Sequence, residues 1–180
     1  MSRTSSIDLR NIMRRSVKGA YDNLVTRATG RAVRGSLEIE LEKTDADLVM
    51  VIDFSAVNCL DFSCADEVVA KLLLAHGTGR YFLLKGVTRA HLDAIEQVLE
   101  RHGLAIVTQD RTGAIQLLGP VADTARAAFG TVLQRGRAHE DEIVASVGKS
   151  PELVREALSE LCTRRLVLCE AATYQSITLV

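Results

Sequence analysis

Residues 48–76, LVMVIDFSAVNCLDFSCADEVVAKLLLAH, contain the pattern that decides the fold of the first part of the chain. Leu48–Ile52 is an apolar run without polar alternation, which indicates a strand buried on both faces of a parallel sheet. A short connection then leads to Ser63, which is followed three residues later by the acid Asp66. This spacing is typical of a helix N-cap and predicts a helix over Cys64–His76.

Helices and short strands alternate on both sides of this stretch. Before it, Thr29 is the expected N-cap of a helix that ends near Lys43, with Val33, Leu37 and Leu41 as its buried stripe. After it, the pattern continues with three short strands and one helix, at residues 80–84, 104–107, 114–118 and 89–102. Such alternation predicts an α/β domain whose sheet has parallel neighbours.

The pattern changes after Gly119-Pro120. The following residues predict three helices and then a two-stranded hairpin, at residues 121–134, 140–147, 152–163, 166–169 and 176–180. Ser150 and Pro151 have the spacing of an N-cap and a first helical residue at the start of the third helix. This order predicts a small α+β domain with a winged helix-turn-helix layout over residues 120–180.

The first 25 residues predict a basic helical arm. Apolar residues recur at helical spacing over residues 7–25, and arginines and a lysine occupy the other side. Residues 1–44 carry nine basic and five acidic side chains, whereas the whole chain has a net charge of −1. The sequence therefore predicts three parts, an arm at 1–25, an α/β domain at 26–119 and a third part at 120–180.

Composition excludes several classes of protein. A net charge of −1 excludes a polycation that coats nucleic acid, and 4% aromatic residues without Trp argue against a base-stacking surface. No apolar run has the length of a membrane helix, and the N-terminal residues lack the apolar stretch of a secretion signal. We therefore expect a cytoplasmic protein without a membrane partner.

The four cysteines form no CxxC pair and lie apart in sequence from the histidines. In a cytoplasmic chain we expect Cys59, Cys64, Cys162 and Cys169 to be reduced thiols. The same spacing predicts no metal site. Motifs for phosphate-binding loops, dinucleotide binding, serine hydrolases and zinc proteases are missing, so we expect neither a cofactor nor catalysis.

Residues 49–67 resemble the core of a STAS domain, the family of sulphate transporters and anti-sigma-factor antagonists. The likeness rests on the strand that ends in Asp53, the loop after it and the helix start Ser63-Cys64-Ala65-Asp66-Glu67. It is greatest to bacterial STAS-like domains of unassigned function and covers residues 26–119, about half of the chain. The resemblance implies a mixed sheet with flanking helices and a regulatory protein partner, either a kinase or a sigma-factor-type regulator.

In antagonist STAS proteins a serine at this helix start is phosphorylated by a partner kinase, and the resemblance makes Ser63 a candidate phosphorylation site. That serine normally follows the loop aspartate directly, whereas here Phe62 stands between Asp61 and Ser63. A plain N-cap role also explains Ser63, and both interpretations stay open. We predict a partner-binding surface formed by Asn58, Asp61, Phe62, Ser63, Asp66 and Glu67.

DNA binding is the alternative function. In a winged helix, residues 152–163 would form the recognition helix, with Leu153 among its inward residues. Glu152, Glu156 and Glu160 form a row that would face phosphates, which opposes DNA binding. Basic residues elsewhere could supply the missing charge, namely Arg10, Arg14, Arg15, Arg27, Arg31, Arg34, Arg155 and Arg164.

The sequence therefore supports two hypotheses, a non-catalytic signalling or adaptor protein and a DNA-binding transcriptional regulator. A homodimer is a further expectation, because the end of the predicted last strand, Ile177–Val180, would offer an edge for pairing with a second chain.

Overall fold

The computed structural model of the protein describes residues 4–18 and 22–179, which divide between Pro120 and Val121 into two units. The first unit contains strands, helices and one π-helical segment (the π-segment), in the chain order β1 (Thr4–Asp8), α1 (Leu9–Ser16), β2 (Asn23–Leu24), α2 (Arg27–Glu42), β3 (Val49–Asp53), β4 (Cys59–Leu60), α3 (Phe62–Ala65), the π-segment (Asp66–Lys71), α4 (Leu72–His76), β5 (Tyr81–Val87), α5 (Arg89–His102), β6 (Ile106–Asp110) and β7 (Ile115–Leu118).

A five-stranded sheet in the order β1-β3-β5-β6-β7 forms the centre of the first unit. The strands from β1 to β6 in this order are parallel, and β7 is antiparallel to β6. Val49, Met50, Val51 and Ile52 of β3 are all buried. The predicted α/β class with parallel neighbours and the buried strand are therefore confirmed.

The helix predicted over residues 7–25 is wrong at both ends. Residues 4–8 form a strand instead, because each of them pairs in parallel with β3, from Thr4 opposite Val49 to Asp8 opposite Asp53. Asp8 then caps α1 by accepting a hydrogen bond from the backbone N–H of Arg10 at 2.8 Å. Residues 19–21 of the predicted helix lie outside the described residues. Long-range strand pairing outweighs the local helical spacing here.

Helix α2 buries the stripe that the sequence predicts, formed by Val33, Leu37 and Leu41. Its N-cap is Thr26 rather than the expected Thr29, since the Thr26 hydroxyl accepts the hydrogen bond from the Thr29 N–H at 3.2 Å. The helix therefore starts three residues earlier than predicted, which brings Arg27 into its first turn.

The predicted helix over residues 64–76 is continuous from Phe62 to His76 but contains the π-segment. Its N-cap is Asp61, not Ser63. The Asp61 carboxylate accepts a hydrogen bond from the N–H of Cys64, three residues later in the chain. Asp61 therefore has the N-cap geometry that the sequence pattern assigned to Ser63. The predicted apolar residues Val68, Val69, Leu72 and Leu73 are all buried.

The second unit contains α6 (Asp123–Arg135), β8 (Arg137–His139), α7 (Glu140–Val147), α8 (Pro151–Thr163), β9 (Val167–Glu170), β10 (Thr173–Ser176) and a 3₁₀ turn (Ile177–Leu179). The strands form an antiparallel sheet in the order β8-β10-β9. Ser150 caps α8 as predicted, with its hydroxyl accepting the Leu153 N–H at 3.4 Å.

Three predictions for the second unit are wrong. The last strand is Thr173–Ser176 rather than 176–180, because its register with β8 and β9 places the turn at residues 171 and 172. Residues 177–179 form a 3₁₀ turn with Ile177 buried, so they offer no strand edge for the expected dimer, and Val180 lies outside the described residues. Leu153 is 49% exposed instead of facing the core, since it precedes the buried stripe that begins at Val154.

The expectation of four reduced thiols is also wrong. The structure joins Cys162 and Cys169 in a disulfide, while Cys59 is an exposed thiol and Cys64 a buried one. The sequence alone did not reveal this pair, because the two cysteines meet only when the turn after α8 brings β9 back alongside the end of the helix. Among the described residues, no helix is both long and apolar enough to cross a membrane.

Candidate functional site

The segment that the sequence singles out, residues 58–67, is fixed at its base by short backbone pairings. Phe54 is fully buried after β3, and its N–H donates to the Lys85 carbonyl at 2.8 Å. The parallel pair β2 and β4 continues this support through hydrogen bonds from Asn58 N–H to the Asp22 carbonyl at 2.6 Å and from Asp61 N–H to the Leu24 carbonyl at 2.9 Å. The segment therefore leaves the sheet along a defined path.

Asp61 organises the helix start. One carboxylate oxygen, Oδ1, accepts hydrogen bonds from the Cys64 N–H and the Ser63 hydroxyl, each at 2.8 Å, and Oδ2 lies 3.1 Å from the same hydroxyl. The Ser63 hydroxyl is thus engaged by a carboxylate. A phosphate on Ser63 would remove this donor and place two like charges side by side, so modification there would open the helix start.

The outer side of this segment combines polar and aromatic groups. Asn58 and Cys59 are exposed, while Asp61, Phe62 and Ser63 are half-buried. The Arg101 guanidinium lies over the Phe62 ring, 5.8 Å from its centroid. This cation–π contact ties the segment to α5. Of the predicted surface, the fold therefore leaves Asn58, Asp61, Phe62 and Ser63 accessible.

Asp66 and Glu67 are not accessible in the way the predicted surface requires. Asp66 is 6% exposed and Glu67 is fully buried. They occupy an internal polar cluster (the Glu67 cluster) with Arg27, Arg34 and Lys71 from α2 and the π-segment and with the His102 ring from α5. The prediction placed both carboxylates outward because it assumed an ordinary first turn with solvent around it.

The contacts of the Glu67 cluster are short. Arg27 Nη1 lies 2.7 Å from Asp66 Oδ2 and 3.0 Å from Glu67 Oε1, and Arg34 Nε lies 3.3 Å from Glu67 Oε2. Lys71 reaches Glu67 from one turn away, and His102 Nε2 lies 2.9 Å from Asp66 Oδ1. The cluster therefore links α2, the π-segment and α5 beneath the accessible segment.

These contacts form because the backbone of α2 lies close to the start of the helix at Cys64 and Glu67. A Cβ on Gly30 would lie 3.0 Å from the Cys64 Cα and 3.1 Å from the Glu67 Cβ. Since Gly30 has no side chain, α2 can pack directly against the helix start, with Arg27 and Arg34 on either side of the contact in sequence. The glycine thus sets the distance that lets both arginines reach Glu67.

The cluster stabilises its carboxylates in the charged form. Burial alone raises the pKa of Asp66, but hydrogen bonds from Arg27 and His102 outweigh it and hold that pKa below its usual range. Burial likewise opposes ionisation of Glu67, and the hydrogen bonds from Lys71 and Arg27 lower its pKa on balance. The hydrogen bonds to Asp66 and Glu67 raise the pKa of Arg27.

The arginines predicted to contact DNA fall into two groups. Several are engaged in ion pairs: Arg27 and Arg34 in the Glu67 cluster, Arg15 with Glu40 at 3.3 Å, Arg155 with Glu140 at 2.6 Å and Arg164 with Glu160 at 3.5 Å. Arg10, Arg14 and Arg31 are exposed. Five of the eight predicted arginines therefore pair with carboxylates, although the Arg15 and Arg155 side chains remain 61% and 57% exposed.

Sequence reasoning missed the part played by His91. This residue is fully buried against Phe54, with ring centroids 5.9 Å apart, and its Nδ1 accepts the Thr88 N–H at 3.1 Å. Burial lowers the pKa of His91, which suits the neutral ring that this acceptor role requires. The signal was the spacing Thr88-x-x-His91, a capping box with histidine in place of Glu or Gln.

A cavity of about 550 Å³ beside the start of α5 was also missed. Its lining carries both signs of charge, and several of these groups are already engaged. Arg89 lies 3.5 Å from Asp93, and Arg111 donates to the Ser55 carbonyl at 3.0 Å. The cavity is therefore a cleft with two basic and three acidic lining residues, which come from separate elements that no local motif connects.

The described residues contain no grouping of side chains that could hold a metal ion, and the buried Cys64 thiol is poorly suited to covalent chemistry. In residues 4–18 and 22–179, no group of three or more His, Cys, Asp or Glu side chains could hold a metal ion. The buried Cys64 thiol donates to the Thr26 carbonyl at 2.9 Å, and burial together with the nearby Asp61 charge raises the pKa of Cys64 to about 11. This thiol is unsuited to act as a nucleophile at neutral pH.

Comparisons with protein-family models, with curated proteins and with solved structures find no significant match to the chain.

Proposed function

We propose that this protein is a non-catalytic signalling or adaptor protein in which a STAS-like first unit binds a regulatory protein partner. The second unit, in this proposal, is a winged helix that docks protein rather than DNA. A kinase or a sigma-factor-type regulator is the class of partner that the STAS resemblance implies. The alternative is a transcriptional regulator that contacts DNA through the second unit and the basic residues of the first.

The order of elements supports the proposed layout of the second unit. It runs helix, strand, helix, helix, strand, strand, and the sheet order is β8-β10-β9. In a winged helix, the helix before the hairpin is the recognition helix, which is α8 in this chain. The question of function thus depends on which side chains α8 exposes.

The exposed face of α8 is the observation that carries the proposal. Glu152 and Glu156 are exposed, and Leu153 between them is 49% exposed. Arg155, on the same helix, is drawn to Glu140 of α7. Because DNA affinity depends on neutralising phosphates, an acidic face with an apolar residue fits a protein surface better than a duplex.

The accessible part of residues 58–63 supports docking by the first unit. Asn58 faces solvent, and the half-buried Phe62 is held by Arg101. Backbone hydrogen bonds at Asn58 and Asp61 anchor this segment to residues 22–24, and the Glu67 cluster anchors the helix that follows it to α2. A preorganised surface loses little conformational entropy on binding, which favours a regulatory contact of modest area.

Fluorescence anisotropy with a labelled mixed-sequence duplex tests DNA against protein binding. The full chain is titrated at low salt and again at higher salt. We expect no binding at either salt concentration. Binding at low salt that falls steeply with added salt would overturn the proposal in favour of the DNA regulator, and replacing Arg10, Arg14 and Arg31 by Ala would then locate the contacts.

Site-specific charge changes test the first-unit surface. An affinity-tagged Asn58→Arg variant and a matched Gln116→Arg variant, which makes the same change at an exposed position on β7, are compared in quantitative pull-downs. We expect proteins enriched by the wild-type chain to be lost with Asn58→Arg and kept with Gln116→Arg. Equal recovery with both variants would exclude the surface at residues 58–63.

A further inference from the structure

A disulfide between Cys162 and Cys169 links the end of α8 to β9 across residues 161–169, called here the α8–β9 corner. Cys162 lies in the last turn of α8 and Cys169, seven residues later in sequence, lies in β9, with their Cα atoms 6.2 Å apart. Both residues are half-buried. The disulfide therefore joins the end of a helix to a strand at a place that a small thiol or a thioredoxin-like dithiol can approach.

The corner is also held without the disulfide. After α8 the Arg165 N–H donates to the Cys162 carbonyl at 3.1 Å, and the Leu166 N–H donates to the Leu161 carbonyl at 2.9 Å. Leu161 and Leu166 are both buried in the core of the second unit. These bonds form a helix-ending turn of the Schellman kind and would keep the two sulfur atoms close after reduction.

The other two cysteines have no comparable arrangement. Cys59 is exposed and Cys64 is buried, and the Cys64 thiol is engaged with the Thr26 carbonyl in the first unit. The protein thus combines two thiols in the first unit with one disulfide in the second. This contrast separates the pair at the corner from the remaining cysteines.

We propose that Cys162 and Cys169 form a reversible redox pair that controls the local stability of the α8–β9 corner. The co-reactant is a dithiol reductant. Its first thiolate attacks one Sγ, forming a mixed disulfide and releasing the other cysteine as a thiolate, which takes up a proton. The second thiol of the reductant, as a thiolate, then displaces the first cysteine, which is protonated in turn. Two electrons pass to the protein, and the reductant leaves as a disulfide.

Opening the pair loosens the corner but leaves the fold of the unit in place. A cross-link over a short loop restricts the opened state, so its loss makes local opening easier. The buried leucines and the two backbone bonds keep the corner folded on average. This inference is independent of the proposed function, since it concerns the stability of α8 and β9 whether or not α8 docks a partner.

Thiol counting and peptide mapping on the full chain test the pairing. Dithiothreitol buffers, which contain the dithiol and its cyclic disulfide, are stepped from oxidised to reduced, free thiols are alkylated after denaturation, and trypsin is then added. Since trypsin cleaves at Arg164 and Arg165, the disulfide appears as peptides 156–164 and 166–180 joined together. We expect two free thiols at the oxidised end and four at the reduced end, with full recovery when the buffer is reversed.

Two results would overturn the proposal at this stage. Four free thiols in every buffer would mean that the pair does not form. A linked peptide that persists at the reduced end would mean a permanent cross-link rather than a reversible pair. A Cys59→Ser variant serves as the matched control, because it lowers the thiol count by one in every buffer and leaves the transition unchanged.

Amide hydrogen exchange measures how much reduction of the disulfide eases local opening of the α8–β9 corner. We expect amides of Leu161 and residues 166–168 to exchange at least about tenfold faster after reduction, and amides of β3 to be unaffected. Cys162→Ser and Cys169→Ser should each match the reduced wild-type chain and show no response to the buffer. Equal exchange in oxidised and reduced wild-type protein would overturn control of the corner by the pair.

Discussion

The carboxylates of Asp66 and Glu67 in the π-segment and those of Glu152 and Glu156 on α8 are the same chemical groups in opposite surroundings. In the first unit they are enclosed by basic side chains from α2 and the π-segment and by His102 from α5, at distances from 2.7 to 3.3 Å for the arginine contacts. On α8 they face solvent. Both sets appear in the sequence as acids near the start of a helix.

The comparison shows that burial, rather than residue type, decides what a carboxylate does. An enclosed carboxylate must be paired, because an unpaired charge in the interior is costly, and its removal leaves the surrounding cations without a partner. An exposed carboxylate contributes little to folding and remains available for recognition. The predictions below test this division, beginning with the change expected to have the largest effect.

Glu67→Gln should lower the free energy of unfolding by about 3 kcal/mol, because Arg27, Arg34 and Lys71 would lose the carboxylate that they share. The value lies at the low end of the usual range, since these cations keep partial contact with solvent. Urea unfolding at pH 7, followed by circular dichroism, measures the effect. Glu156→Gln on α8 is the matched control, and equal midpoints for the two variants would contradict the division.

Low pH should remove the contribution that the charged Asp66 and Glu67 side chains make to the free energy of unfolding. The folded-state pKa values of Asp66 and Glu67 lie below the ordinary values of 3.8 and 4.5, so their contribution is complete above those values and is lost as pH falls through the folded pKa values. The stability difference between the wild-type chain and Glu67→Gln should therefore shrink below about pH 4. Urea midpoints from pH 7 to pH 3 measure it, and a constant difference would show that the charge of Glu67 is not responsible.

Changing the N-cap residue Asp61 should have an intermediate effect on the free energy of unfolding. Asp61→Ala should cost about 1–2 kcal/mol, because the Cys64 N–H and the Ser63 hydroxyl lose their acceptor. Asp61→Asn keeps an acceptor oxygen in the same place and should cost much less. Chemical denaturation of both variants gives the comparison. If Asn were as destabilising as Ala, the negative charge rather than the cap would be the important property.

Much of the first unit follows from its sequence. The apolar run of β3, the buried stripe of α2 and the alternation of strands with helices depend on local spacing, which a single sequence displays. The strand at residues 4–8 does not, because its conformation comes from pairing with β3 about 45 residues away. At residues 7 and 8, local spacing therefore predicted a helix, whereas pairing with β3 in the sheet makes these residues part of strand β1.

The candidate site was predicted in part for the same reason. Residues 58–63 were identified from the helix-start pattern, but the assignment of the cap to Ser63 failed because Asp61, also a favoured N-cap residue, stands two positions earlier and caps the helix without an acid three residues later. The enclosure of Glu67 could not be read from the sequence, since its partners Arg27 and Arg34 lie on another helix brought close by Gly30. The Cys162–Cys169 pair likewise depends on the return of β9 toward α8.

The smallest effect on folding is expected at the α8 face. Replacing Glu152 and Glu156 together by Gln should leave the urea midpoint within about 0.3 M of the wild-type value, because both side chains are exposed. The same double variant should weaken the binding of any protein partner that recognises this face, measured by pull-down beside Glu67→Gln at a temperature where both are folded. A large loss of stability would mean that these carboxylates are structural, and the contrast with the Glu67 cluster would then disappear. Unchanged stability with lost binding would assign the acids of α8 to recognition and those of the π-segment to folding.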